Sequence, residues 1–255
     1  LYLNQFDADR EEMLSRALLN GVSAFFLPNI DSSSIEPMLR LEAAHPQTCF
    51  PMMGLHPCSV RENFREELDL ASSWINRRPF AAIGECGLDL YWDKTFLKQQ
   101  IEALNIQLDW AKQLELPIVL HTRDAMDLTI DVVKNAYDSR LSGVFHCFNG
   151  TVEQAARILE MGFFLGIGGV LTYKNGGLEP VINAFGLDNI VLETDAPYLS
   201  PNPYRGKRNE SAYIPVIGQH LSAISGQSLE QVAATTTANA KILFAKTDFQ
   251  VRDTP

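Results

Sequence analysis

No apolar run in this sequence approaches the roughly 18–20 residues that a membrane-spanning helix needs. Nor does it open on the basic-plus-apolar pattern of a secretory leader. A membrane partner is therefore not expected. Cysteine is scarce: Cys49, Cys58, Cys86 and Cys147 have no CxxC spacing among them. That argues against a disulfide framework and for reduced thiols in a cytoplasmic protein. Positive charge is short as well, with 21 Lys and Arg against 31 Asp and Glu, a net charge of −10. A protein that tracks DNA without regard to sequence carries a basic surface. Any handling of nucleic acid here would have to draw on bound cations and a few local arginines. There is no low-complexity tract, and 46% hydrophobic with 20% charged residues is ordinary for a globular chain.

What is present is a repeated strand–helix grammar. Near-continuous apolar runs, the mark of buried parallel strands, occur in SAFFLPNI, FPMMGLHP, AAIGECGLD, PIVLHTR, SGVFHCFNG, FFLGIGGV and NIVLETD. Helical periodicity fills the gaps, over residues 32–44, 62–76, 96–116, 125–137, 151–161 and 178–185. A further helix is expected over residues 7–20, with Met13, Leu14, Ala17 and Leu18 as its buried face, and two more over 212–245. The seven strands recur roughly every two to three dozen residues, a spacing suited to βα units. Strict alternation without a break in composition predicts one parallel sheet covered by helices, a single α/β domain over residues 1–255. A closed TIM (β/α)8 barrel is the expected architecture. A doubly wound open sheet is the alternative, but the first βα turn has no glycine-rich phosphate fingerprint. Seven strands are one short of eight, and the chain opens on a loop and a helix. Strand one is therefore expected to be missing just upstream of Leu1.

The chemistry-bearing residues stand where these strands end. Glu85 arrives in the glycine-punctuated turn of GECGLD, His121 in IVLHTR, His146 in GVFHCF and Asp195 in IVLETD. Sites in barrels form at the C-terminal ends of strands. A lone histidine is commonly structural, but four such residues in equivalent positions read as a divalent-metal site. A carboxylate can bridge two cations, imidazoles complete the shells, and a bound water becomes hydroxide near neutral pH. His56, in GLHP, ends a strand at the same mouth and suits a substrate phosphate better than a metal. Arg123 follows His121 and could meet Asp124, Asp127 or an anionic substrate. The segment PNPYRGKRNE holds Arg205, Lys207 and Arg208, the densest positive cluster in the chain, and reads as either a solvated loop or a phosphate clamp. Tyr91 and Trp92 are either loop anchors or a surface for a nucleobase.

Taken in order, GECGLD, HTRDA, HCFNGT and LETDAPYL, with GLHP and YRGKRN, resemble the TatD family of metal-dependent deoxyribonucleases over essentially the whole chain. That family belongs to the amidohydrolase-like TIM barrels. The resemblance implies two divalent metal ions, Mg, Mn or Zn, with Glu85 bridging them. It also implies that His121 and His146 bind one ion, and that Asp195 binds the other and orients or deprotonates the attacking water. The implied catalytic pair is Asp195 and Glu85, and the residues expected to hold substrate phosphates are His56, Arg123, Arg205 and Arg208. The implied substrate is DNA, at an end or as a single strand, cut in the 3′→5′ direction.

Two departures stand out. The family's first motif, an H-x-H pair closing strand one, is expected just upstream of Leu1, and Ser211 follows Glu210 where the family often has proline. Two rival functions go with these observations. One is an aminoacyl-ester or small-molecule hydrolase, for example a D-aminoacyl-tRNA deacylase, since a fold does not set a substrate. The other is a non-catalytic metal- or nucleotide-binding protein without the first histidine pair.

Overall fold

A computed structural model describes residues 1–247. The single unit expected over 1–255 includes residues 248–255, which lie outside the described residues. Among the described residues seven parallel strands run in chain order: β1 (Phe25–Pro28), β2 (Cys49–Met52), β3 (Ile83–Asp89), β4 (Ile118–Arg123), β5 (Gly143–Phe145), β6 (Phe164–Ile167) and β7 (Ile190–Leu192). β3 to β7 form one continuous ladder and β1 pairs with β2. The two sheets join where Met53 bridges to Ile83 and the Gly84 N–H donates to the Met53 carbonyl. Among the described residues no ladder joins β1 to β7.

Helix α1 (Arg10–Leu19) precedes β1, and each later strand is reached through a helix. These are α2 (Ser32–Ala44), α3 (Phe64–Ile75), α4 (Leu97–Leu114), α5 (Met126–Ala136), α6 (Val152–Glu160) and α7 (Glu179–Phe185). The chain then adds α8 (Ile214–Ser225) and α9 (Leu229–Leu243). Capping boxes at Asp31, Thr151 and Ser228 start α2, α6 and α9 by satisfying N–H groups that a helix start leaves orphaned. α1 begins later than its periodicity suggests. Its N-cap residue Asp9 makes no capping bond, because that carboxylate is taken by Arg16 and Arg208. The strand expected across FFLGIGGV is also shorter, since Gly169–Thr172 turns into a 3-10 helix.

Two apolar layers separate the open-sheet and barrel alternatives. Outside the strands, Ile83, Cys86, Leu88, Ile118, Leu120, Phe145, Leu165 and Ile167 pack with helix residues such as Leu104, Leu108, Ile130, Ile158 and Ile217. Inside, a second cluster draws on every strand or its entry. Met52, Ala82, Val119, Val144, Phe164 and Val191 meet there, with Phe26 and Phe50 packed against them. Side chains from the first and last strands of an open, twisted sheet could not share one cluster, so the sheet is curled into a barrel. Phe244, at the end of α9, closes this interior from below: its ring stacks on Phe26 at 3.7 Å between centroids.

Candidate metal centre at the C-terminal mouth

The centre is built on an irregularity in β3. Strand residues alternate faces, so Ile83 and Glu85 should share one. Yet Ile83 packs among the helices with Cys86 and Leu88, three and five residues on. The pairing register with β4 slips between Ile83 and Cys86, which marks a bulge. The extra residue reverses the alternation, so Ile83 faces outward while Glu85, Gly87 and Asp89 face the barrel interior. Gly87 is required at the middle position: a Cβ there would run into the carbonyl oxygen of His121.

One oxygen of Glu85, Oε1, faces three imidazoles. It lies 3.0 Å from Nδ1 of His121, 3.6 Å from Nε2 of His56 and 3.6 Å from Nε2 of His146. Donor atoms of His56, Glu85 and His121 all fall within 4.8 Å of one another. Asp195 completes the group, with Oδ1 3.7 Å from Nε2 of His146. The structure thus brings together Glu85, His121, His146 and Asp195, and it adds His56.

The second nitrogen of each ring shows what the first can do, because a neutral imidazole has one donor and one acceptor. His121 turns Nε2 to the Asp89 carboxylate at 2.9 Å, and His146 turns Nδ1 to Glu193 at 2.9 Å. When the ring is neutral, as it must be to hold a cation, that carboxylate accepts the N–H and the other nitrogen's lone pair faces Glu85, the arrangement found behind metal-ligating histidines. Without a cation the carboxylates around each ring favour the imidazolium. His56 is the opposite. The Cys58 backbone N–H donates to its Nδ1 at 3.1 Å, so neutral His56 carries its proton on Nε2, facing the centre. His121 and His146 therefore fit a cation, whereas His56 fits an anion.

Asp89 and Glu193, which face the rings of His121 and His146, are the candidate site residues that sequence reasoning missed. Each had a signal: Asp89 is four residues beyond Glu85 on the inward face of β3, and Glu193 is two before Asp195, just past the end of β7. Both are held from behind. Gln100 on α4 accepts from the Asp89 N–H and donates to its carbonyl, and Gln107 does the same for Leu55 beside His56. Glu193 accepts the Cys147 N–H at 2.6 Å and fills the space over Gly166, where a Cβ would collide with its carboxylate.

Ionisation follows from this packing. Burial opposes charge on Glu85, yet His146, His121 and His56 hold its carboxyl well below the usual range. Burial also opposes charge on His121, but Asp89 and Glu85 raise it to about 9, and Glu193 and Glu85 lift His146 well above its ordinary value. Burial pushes Asp195 up to about 6, with His146 opposing and the Glu85 and Glu193 charges adding to the rise.

The expected phosphate-holding arginines divide. Arg123 is exposed at the end of β4, 3.7 Å above the ring of Tyr91, and exposed Arg205 lies 3.9 Å over Tyr173. Arg208 is committed elsewhere. Its guanidinium donates to both Asp9 oxygens, at 2.6 and 2.7 Å, and to the Gln5 carbonyl, while lying 4.5 Å over Phe6. Of the three cations expected to form a clamp in this loop, Arg205 and Lys207 are exposed, while Arg208 ties the loop to the start of α1. Buried Asn209 pins the same loop to the carbonyls of Thr194 and Tyr198, and so sets the position of Asp195.

A parallel barrel whose strand ends gather two carboxylate-backed histidines around a buried glutamate is the architecture of a metal-dependent hydrolase. The model of the family described as "TatD related DNase" matches residues 1–245, and the chain belongs to that family. It is 34% identical to the "3'-5' ssDNA/RNA exonuclease TatD" of Erwinia tasmaniensis, with 94% of this chain and 95% of that protein covered. It is 32% identical to the "Uncharacterized metal-dependent hydrolase YabD" of Bacillus subtilis, with 96% of each covered. Among solved structures, a TatD homolog from Escherichia coli, YjjV, matches with a TM-score of 0.89 at 29% identity, covering 95% of this chain and 94% of the other. No helix of the described residues is long and apolar enough to cross a membrane.

Proposed function

We propose that the chain hydrolyses phosphodiester bonds of DNA, removing nucleotides from a 3′ end, with two divalent cations held by Glu85, His121, His146 and Asp195. The observation that carries this reading is the set of ring orientations around Glu85, with two imidazoles backed by carboxylates and a third backed by a backbone N–H. Cations bound there would polarise a phosphate oxygen and lower the pKa of a bound water. Glu85, ionised and buried, would supply negative charge to hold them. Asp195 takes the proton of the attacking water. His56 donates its Nε2 proton as a hydrogen bond to a phosphate oxygen, and Arg123 and Arg205 hold the flanking phosphates. An acidic chain suits this task, since an end that enters a cation-lined mouth needs no basic surface along a duplex.

The test is to strip metals, then incubate single-stranded DNA labelled at either end with magnesium or manganese, in parallel with D-aminoacyl-tRNA. Stepwise nucleotide release from the 3′ end, lost on re-stripping and in Glu85→Gln, is expected. Cleavage of the aminoacyl ester without any nucleotide release would overturn the reading.

A further inference from the structure

Trp92 is 70% exposed and Tyr91 52% exposed, beside the candidate centre. Large rings left in water need a reason, because burying them is what ordinarily makes them stabilising. A loop anchor would turn its ring inward. Here the anchoring is done by backbone instead. The N–H groups of Tyr91 and Trp92 donate to Oδ1 of Asp89 at 3.0 and 3.4 Å, while Oδ2 of the same carboxylate faces Nε2 of His121 at 2.9 Å. The Leu90 N–H donates to the Arg123 carbonyl at 2.9 Å, and Asp93 caps the next turn through the Thr95 N–H. The two rings are thus held in place without being buried, by the carboxylate that also orients a histidine of the centre.

Their arrangement has a chemical reading. Tyr91 and Trp92 meet edge to face, 89° apart with centroids 4.8 Å apart. The Arg123 guanidinium covers Tyr91 at 3.7 Å and lies 5.4 Å from the Trp92 ring. A cation on an aromatic ring is attracted by the ring's negative face, and this one remains exposed for a phosphate. On the other side of the mouth Arg205 lies over Tyr173, but that ring is only partly exposed and its hydroxyl is tied to the Ser200 carbonyl. Among the described residues, it is the β3–β4 side of the mouth that pairs an exposed guanidinium with an open indole.

We infer that Trp92, braced by Tyr91 and Arg123, is a stacking platform for an unpaired base of a single-stranded nucleic acid entering the centre. The inference rests on the nucleic-acid reading above and adds a residue that selects single strands. A base inside a duplex has both faces stacked and cannot offer one to the indole, whereas a splayed base can. Arg123 takes the phosphate next to that base. Recognition is by stacking, so it tolerates any base but not the absence of one.

The experiment uses the full chain and a short phosphorothioate oligothymidine, which resists cleavage, beside an abasic phosphorothioate strand of equal length. Wild-type protein should bind the oligothymidine with quenching of tryptophan fluorescence. Trp74 and Trp110 are partly buried against apolar clusters and serve as spectators. Trp92→Leu should weaken binding of oligothymidine about tenfold or more, in line with the loss seen when one stacked base loses its aromatic partner. Its binding of the abasic strand should change by less than about twofold, because phosphate contacts carry that affinity. Trp92→Phe should restore most of the affinity without the quenching. Equal binding of both strands by wild type, equal losses on both in Trp92→Leu, quenching that survives in Trp92→Phe, or no binding at all would each overturn the platform. Base-dependent quenching in a protein that cleaves no nucleic acid would leave the platform standing and remove the nuclease. Cleavage with base-independent binding would do the reverse.

Discussion

The two ends of the barrel are built from opposite materials. At the bottom, valine, alanine, methionine and phenylalanine from the strands or the residues that enter them close on Phe244. At the top, Glu85, His56, His121, His146, Asp89, Glu193 and Asp195 stand within hydrogen-bond or ion-pair distance of one another. Apolar packing is non-directional and tolerates only volume, whereas a group of buried titratable residues tolerates nothing unpaired. The bottom therefore sets whether the barrel closes, and the top sets what the closed barrel can bind. Barrels concentrate function at the C-terminal ends of their strands and stability at the other face, and the three predictions below are ways to break or sharpen that division.

The largest effect belongs to the bottom. Phe244→Ala should lower unfolding free energy by about 3–5 kcal/mol, the usual range for a buried phenylalanine lost from a core. The strand ends that carry the centre should keep their arrangement, so metal affinity of the folded protein should change little. Denaturant unfolding and metal titration on one preparation measure both, and a large loss of affinity with unchanged stability would merge the two ends into one unit.

The next effect belongs to the top. Glu193→Gln leaves a hydrogen-bond acceptor for His146 but removes the charge behind it. Metal affinity should fall about tenfold to a hundredfold, the usual cost of losing an outer carboxylate, with unfolding in the absence of metal moving by less than about 1 kcal/mol. Calorimetric titration with manganese checks the first and urea unfolding the second. Unchanged affinity would mean that Glu193 serves the Cys147 backbone alone.

The smallest effect falls between the two ends. Arg208→Ala should cost about 1 kcal/mol at neutral pH, as for a well-formed ion pair near the surface. The Arg208 hydrogen bonds, with those of Arg16, hold the Asp9 carboxyl well below its usual range. A carboxylate depressed in the folded state stabilises above its unfolded pKa, and that contribution is lost as pH falls. The gap between wild type and Arg208→Ala should therefore be full above about pH 5 and shrink as the medium is acidified below about pH 4. A gap that stays constant in acid would place the effect in packing over Phe6 rather than in the charge pair.

Much of this architecture was legible in the sequence. Near-continuous apolar runs separated by helical periodicity yield the seven strands in order, because parallel strands covered on both faces have no polar side to show. Residues at strand ends yield Glu85, His121, His146 and Asp195 as a set, because a barrel carries every strand end to one mouth. Arg208 was not legible. Its partner Asp9 lies 199 residues away, and nothing local distinguishes a guanidinium paired across that distance from one left in solvent. Arg123 and Arg205, of the same chemical type, remained exposed over aromatic rings.

By itself, then, the sequence determined the order of the elements and the kinds of ligand at their ends, since both follow from local periodicity. Tertiary structure alone decided three things. The β3 bulge turned Glu85 inward, through pairing with β4 that alternation cannot foresee. The Cys58 N–H set the His56 proton on the nitrogen that faces Glu85, which gave a physical basis to the phosphate role that GLHP only suggested. Asp89 and Glu193 became the groups that orient His121 and His146 only when neighbouring strands set them side by side. In each case the physical reason is the same: a side chain's role depends on which partner meets its last free hydrogen-bonding position. That partner is supplied by the closure of the barrel, not by the neighbouring residues in the chain.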